Sequence, residues 1–304
     1  MNDWKRKWIM MFSPEQTTIG FVGVGVMGAS MATHLHHAGY EVHLYTRTKA
    51  KAKPLLEKGM HWADSPSELA KQCQCIVTIV GYPRDVEEIY LGENGLLHHA
   101  SPGCVLIDMT TSSPLLAKRI YKAAAERGMH ALDAPVSGGD VGARNAALSI
   151  MVGGDAEVFQ RAEPILRLMG SNIIRQGEAG AGQHTKMVNQ IAIASNMIGV
   201  CEALVYAKSA GLDPASVLNS IETGAAGSWS LQHLAPRIIA GRFEPGFFVK
   251  HFIKDMGIAL QSAEDMAIRL PGLELARKLY GELADAGFED EGTHALYKLW
   301  EMNK

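Results

Sequence analysis

Thr18-Ile19-Gly20-Phe21-Val22-Gly23-Val24-Gly25-Val26-Met27-Gly28 decides the fold. Its first five residues are apolar or β-branched apart from Gly20, the pattern of a buried parallel strand. Three glycines follow in GxGxxG spacing, and Ala29 to Ala38 reads as a helix ending at Gly39. A lone GxGxxG says little, but one set between a strand and a helix is the arrangement a dinucleotide requires. Gly23 permits the tight turn, Gly25 lets backbone approach a pyrophosphate, and Gly28 lets helix and strand pack closely. The N–H groups around Val26, Met27 and Gly28, at the helix start, favour the anion. The alternative is a glycine-rich turn that binds nothing.

Working outward, Glu41 to Thr46 reads as the second strand. An acidic residue at its end would take the ribose 2′-hydroxyl of NAD. The chain has Thr46-Arg47-Thr48 there, followed by Lys49, Lys51 and Lys53. A missing carboxylate and a present arginine favour a 2′-phosphate, so NADP is expected in preference to NAD, with Arg47 and Thr48 as contacts. The alternative is a set of solvated cations at a helix start.

Strand and helix signals keep alternating through 75–80, 84–90, 104–108 and 114–127, which implies a parallel sheet with helices on both faces. Gly81, Tyr82 and Thr111 stand at strand C-terminal ends, where such sheets bind ligands. Plain turn chemistry would explain them equally well. Met129 to Ala134 is a further strand and runs into Pro135-Val136-Ser137-Gly138-Gly139. Ser137 and the Gly138 and Gly139 amides form a candidate nest for a carboxylate or phosphate oxygen; a flexible turn is the plainer reading. Strands over 148–152 and 173–175 flank a helix at 155–169.

Strand signals stop near residue 180. His184 to Ala210 is apolar almost all round, the composition of a buried helix. Further helices fit 214–222, 229–240, 250–268, 272–286 and 292–302. The chain therefore reads as an N-terminal extension (1–16), an α/β Rossmann domain (17–180) and an all-α C-terminal domain (181–304), joined by a long interdomain helix. That helix is too apolar for a monomer surface, so a homodimer or homotetramer is expected.

Lys186 and Asn189 stand three apart on it and so share a face. Their apolar neighbours Met187, Val188, Ile191 and Ala192 argue for an enclosed ammonium rather than a surface lysine. A lysine in water keeps its proton to about pH 10.4, and burial works against the charged form, which makes an enclosed lysine a usable acid and base. Lys254 and Asp255 form a second polar pair within reach of a substrate or cofactor; a solvated basic face with Lys250 is the alternative.

Together, the glycine fingerprint, Asp133-Ala134-Pro135-Val136-Ser137-Gly138-Gly139, Gly180-Ala181-Gly182 with Lys186, Asn189 and Gln190, and Lys254-Asp255 resemble the β-hydroxyacid dehydrogenases. These include 3-hydroxyisobutyrate dehydrogenase, tartronate semialdehyde reductase and the glyoxylate/succinic semialdehyde reductases. The resemblance runs over about 17–300. It implies an enzyme moving a hydride between nicotinamide and a small 3-hydroxy acid or semialdehyde. Lys186 would be catalytic, Asn189 would orient substrate, and Ser137, Gly138 and Gly139 would bind it. Thr111 would contact the cofactor, and Lys254 would stand near both cofactor and substrate with Asp255 beside it. Many members have Leu-Pro where this chain has Gly81-Tyr82-Pro83. Two other readings of the fold are a non-catalytic NADP-binding scaffold and an imine-type reductase; relatives in those roles usually replace the lysine.

Composition fits. The chain has 304 residues, 47% hydrophobic and 20% charged, with net charge -3 and no block of like charges, so neither nucleic acid nor an anionic membrane is called for. The four cysteines form no CxxC and read as buried thiols in a reducing, cytoplasmic setting. The twelve histidines show no HExxH and no convergent ligand spacing, so no metal is expected. Lys5-Arg6-Lys7 before five apolar residues resembles a signal peptide, but the run is short and lacks a cleavage site. No run of apolar residues is long enough for a membrane span.

Overall fold

The computed structural model describes residues 11–302 and divides into two compact units, Met1–Lys186 and Met187–Lys304. The first unit is built on a nine-stranded sheet. β1 (Thr18–Val22), β2 (Glu41–Tyr45), β3 (His61–Trp62), β4 (Cys75–Thr78), β5 (Val105–Asp108) and β6 (His130–Asp133) lie parallel in the order β3-β2-β1-β4-β5-β6. The order reverses at β1, with β2 on one side and β4 on the other. Ligands of such sheets bind in the crevice at that switch point, outside the strand C-termini.

The central strands are apolar on both faces because both faces are covered. Ile19, Phe21, Cys75, Val77, Val105 and Ile107 enter one apolar cluster, while Val22, Ile76 and Leu106 enter another. The covering helices include Gly28–His37, Pro66–Gln72, Pro83–Leu91, Pro114–Ala125 and Ala156–Arg167. Three of them begin on proline, whose missing N–H costs nothing in a first turn.

The sheet is not wholly parallel. β7 (Val136–Ser137) and β8 (Leu148–Gly153) pair antiparallel, β8 also runs antiparallel to β6, and β9 (Gly170–Gly177) is parallel to β8. Only the short helix Gly139–Arg144 separates β7 from β8, too little chain for the crossover a parallel neighbour requires. Residues 1–10 of the extension read over 1–16 lie outside the described residues. Phe12, within it, is 6% exposed in the first unit's core. Its carbonyl accepts the Tyr40 hydroxyl at 3.1 Å, and the Arg161 guanidinium lies 4.5 Å over its ring.

The division between units falls after Lys186, inside the 29-residue helix Ala181–Ser209 rather than at its start. By length and a mean hydropathy of 1.4 this helix could cross a bilayer. That composition has a local cause: Met187, Ala194, Met197, Cys201 and Leu204 are core residues of the second unit. The helices Pro214–Ile221, Val249–Asp265 and Pro271–Leu283 complete that core. The helix expected over 229–240 is two, Trp229–His233 and Ala235–Ile239; Pro236 cannot donate the bond that would continue the first. The helix expected over 292–302 is a tight 3-10 turn, Thr293–Tyr297, leading into Lys298–Met302.

Candidate active site

The glycine turn after β1 has the shape a dinucleotide needs. Gly23 adopts φ +97, and a Cβ there would fall 2.0 Å from the Ile79 carbonyl oxygen. A Cβ on Gly28 would fall 1.9 Å from the Gly23 carbonyl oxygen, so any larger residue would push the helix off the strand. A Cβ on Gly25 would meet nothing within 4 Å. The space before Gly25 is open for a pyrophosphate, with Val26 exposed beside it. The residues therefore fit a nicotinamide dinucleotide.

Arg47 leaves the end of β2 with its side chain 76% exposed and its Nη1 3.2 Å from Asp85 Oδ1. Asp85 also accepts the Tyr82 backbone N–H through Oδ2, at 3.2 Å. A single nearly buried carboxylate thus ties the β2 end to the Gly81–Tyr82 turn, a role the sequence did not suggest. Arg84 lies 5.3 Å over the Tyr82 ring. Thr48 is exposed at the start of the next turn.

Thr111 is fixed through its neighbours. The Gln183 side chain, wholly buried, accepts the Ser112 N–H at 2.9 Å and donates to the Thr110 carbonyl at 2.7 Å. The Thr110 hydroxyl in turn accepts the Val80 N–H at 3.0 Å. Gln183 stands three residues before Lys186 on the long helix, so the Thr111 loop and the lysine are referenced to the same helical turn.

Asp133, at the end of β6, holds the start of that helix. Its Oδ1 accepts the Gly180 N–H at 2.7 Å and its Oδ2 the Gln183 N–H at 2.8 Å. These are donors a helix N-terminus leaves unpaired, and a carboxylate there also meets the favourable end of the helix dipole. The approach is close. A Cβ on Gly182 would lie 2.4 Å from the Met151 carbonyl oxygen, and one on Gly153 would lie 2.5 Å from Asp133 Oδ1. Burial pushes the Asp133 carboxyl up to about 6, against the pull of the backbone N–H groups of Gly180, Gln183 and Gly182. Lys186 follows one turn later and is only 6% exposed.

Ser137 pairs with Ser149 across the antiparallel ladder. Gly138 and Gly139 both take positive φ, 126 and 62. Space is not what requires glycine at 138, since a Cβ would come no nearer than 3.4 Å; the left-handed backbone is. The segment is a strand end turning into the short helix Gly139–Arg144.

In the second unit, Asn189 donates to Gln190 Oε1 at 2.7 Å, and Gln190 Nε2 donates to Asp255 Oδ2. Asp255 Oδ1 lies 2.7 Å from Lys254 Nζ. Gln190 and Asp255 are buried, while Asn189 and Lys254 are half-buried. Asn189, Lys254 and Asp255 are thus joined into one polar chain through Gln190. Asp255 spends its carboxylate on Gln190 and Lys254. The four cysteines are free and buried, and burial pushes the Cys73 and Cys104 thiols up to about 12.

A strand–GxGxxG–helix unit at the switch point of a parallel sheet is the arrangement of a nicotinamide-dependent oxidoreductase. Residues 18–177 match the model described as the NAD binding domain of 6-phosphogluconate dehydrogenase. Residues 180–300 match that of the NAD-binding domain of NADP-dependent 3-hydroxyisobutyrate dehydrogenase. The chain belongs to the β-hydroxyacid dehydrogenase family, which includes 3-hydroxyisobutyrate dehydrogenase. It is 60% identical to an uncharacterized oxidoreductase of Bacillus subtilis over 93% of this chain and 98% of the relative. It is 38% identical to the 2-hydroxy-3-oxopropionate reductase of Escherichia coli over 93% of this chain and 97% of that one. The structure of Mycobacterium tuberculosis 3-hydroxyisobutyrate dehydrogenase with L-serine superposes with a TM-score of 0.87 at 31% identity, covering 96% of this chain and 99% of that one.

Proposed function

We propose that this oxidoreductase is an NADP-preferring reductase of small semialdehydes, or in reverse a dehydrogenase of 3-hydroxy acids, with Lys186 moving the proton. The observation that carries the reading is the burial of Lys186, 6% exposed, one turn after the residue that anchors the Thr111 loop.

NADP(H), when bound, supplies or receives the hydride; Gly23 to Gly28, Arg47, Thr48, Gly81, Tyr82 and Thr111 would hold it. The protein adds geometry and a proton path. In reduction the carbonyl π bond breaks as its carbon gains the hydride. The electron pair left on oxygen takes a proton from Lys186 Nζ, whose charge also stabilises the developing alkoxide. In oxidation Nζ, as the free amine, takes the hydroxyl proton. Ser137 and the Gly138 and Gly139 amides would hold the substrate carboxylate, with Asn189 and Lys254 orienting it, so the reacting carbon is fixed before the chemistry.

The cofactor preference is supported by Arg47, 76% exposed at the end of β2, where the strand ends on Thr46 rather than an acid; its guanidinium would leave Asp85 to meet a 2′-phosphate. The likeness to relatives named for hydroxy-acid and oxo-acid substrates supports the substrate class. Assembly as a homodimer or homotetramer is supported by Val188 and Tyr206, 66% and 75% exposed. They stand eighteen residues apart, five turns at about 3.6 residues each, hence on one helix face.

The test is NADPH oxidation over glyoxylate, succinic semialdehyde, tartronate semialdehyde and methylmalonate semialdehyde. Turnover of at least one, faster with NADPH than with NADH, is expected. Cofactor binding with no turnover across such aldehyde acids would point to a scaffold. Equal use of both cofactors would contradict the cofactor assignment alone.

A further inference from the structure

We propose that Glu41, His43 and His61 form a zinc site at the N-terminal edge of the nucleotide-binding sheet. One potential ligand atom from each residue lies within 4.8 Å of the others. The grouping follows from strand geometry. Glu41 and His43 are two residues apart on β2 and so project from one face. Val42 and Leu44, between and beyond them, go to the other face, into the core. His61 opens β3 in register with His43 on the neighbouring parallel strand, and the two imidazole centroids are 4.9 Å apart. Sequence spacing hid the cluster because the strand pairing, not the chain, makes His43 and His61 neighbours.

The donor set is two imidazoles and one carboxylate. That set suits zinc and its first-row neighbours rather than calcium or magnesium, which prefer all-oxygen shells. Three protein ligands with water in the fourth position is a recurrent zinc arrangement. Tetrahedral ligands at about 2.1 Å from zinc stand about 3.4 Å apart. Here Glu41 Oε1 and His43 Nε2 are already 2.8 Å apart, so the existing spacings bracket the required one and rotamer adjustment suffices. The cation would take the place of the hydrogen bond between Glu41 and His43. The His43 side chain is 12% exposed and already ordered by packing, while Glu41, at 54%, can swing. The same carboxylate is held below its ordinary range, first by the His43 hydrogen bond.

β3 is only two residues long. Zinc shared between β2 and β3 would pin this edge strand, so it would act on stability. The site is at the opposite end of β2 from Arg47, about 13 Å or more along the strand at about 3.3 Å per residue. NADPH binding is therefore an independent control.

The experiment is calorimetric titration of the full chain with zinc chloride at neutral pH, with thermal denaturation in parallel. The expected result is one zinc bound per chain and a midpoint that rises with zinc. In His61→Gln, affinity falls by more than the about 10–100-fold that losing a ligand's hydrogen-bond partner costs. The Glu41→Gln variant loses affinity too, and NADPH fluorescence titration stays unchanged in both. Glu41→Gln, at an exposed position, keeps the test valid if His61→Gln folds poorly. Absence of stoichiometric binding overturns the site. So does binding that persists undiminished in His43→Asn/His61→Asn, which would place zinc on other histidines or thiols.

Discussion

Asp133 Oδ2 accepts the backbone N–H of Gln183 at 2.8 Å, so the last residue of β6 fixes the first turn of the helix that carries Lys186. With the Gly180 bond, one carboxylate sets the height and rotation of that helix against the sheet. Gln183 then sends its own side chain to the Thr110–Ser112 loop. The end of β6, the Thr110–Ser112 loop and the helical turn that leads to Lys186 are thus linked inside the first unit.

Asp133 makes stability depend on pH. Its folded carboxyl lies near 6 against an ordinary 3.8, so between those values the folded state binds the extra proton. Its contribution is therefore fully present below about 3.8 and is lost as pH rises through about 6, up to about 3 kcal/mol. Asp133→Asn should flatten this slope in urea titrations run across that window. It should also lower turnover, since an amide oxygen cannot replace both acceptor positions. An unchanged slope would contradict the burial assigned to this group.

Gly182→Ala should destabilise by about 1–3 kcal/mol, the usual cost of forcing atoms into a packed site. The added Cβ would meet backbone oxygens of Met151 and Asp133 at 2.4 and 2.5 Å, which cannot swing away. A thermal melt equal to that of the parent would show that the helix start has room to shift.

Gln183→Leu should leave the Ser112 N–H and the Thr110 carbonyl buried and unpaired, at about 1–3 kcal/mol for each group. Because those groups flank Thr111, NADPH affinity should fall with stability. Lost stability with undiminished cofactor affinity would separate the loop from the cofactor site.

Arg47→Ala should raise the KM for NADPH by about tenfold or more and leave that for NADH unchanged, the scale of a charge-assisted hydrogen bond. Equal effects on both cofactors would assign Arg47 to holding Asp85 instead.

Much of this was legible in the sequence because it is written in local chemistry. The GxGxxG turn shows itself through its glycine spacing between a strand and a helix, with Gly23 and Gly28 at positions that admit no Cβ, and the strands through unbroken apolar runs. Lys186 and Asn189 show themselves through helical spacing. What was not legible depends on pairing between distant segments. Asp133 looks like any strand-end acid until Gly180 and Gln183 arrive above it. Gln183 and Gln190 look like ordinary helical polar residues until Ser112 and Asp255 meet them. The antiparallel turn of β8 and the burial of Phe12 likewise come from tertiary packing that no local period encodes. His43 and His61 become neighbours only through strand register.

The central claim is that Lys186 moves the proton. The most direct measurement is turnover by Lys186→Ala on the substrate the screen selects, with NADPH affinity measured on the same preparation. The account predicts unchanged cofactor affinity and a kcat lower by at least about two orders of magnitude, the scale of a lost general acid. A folded variant that binds NADPH and turns over at a near-normal rate would contradict it.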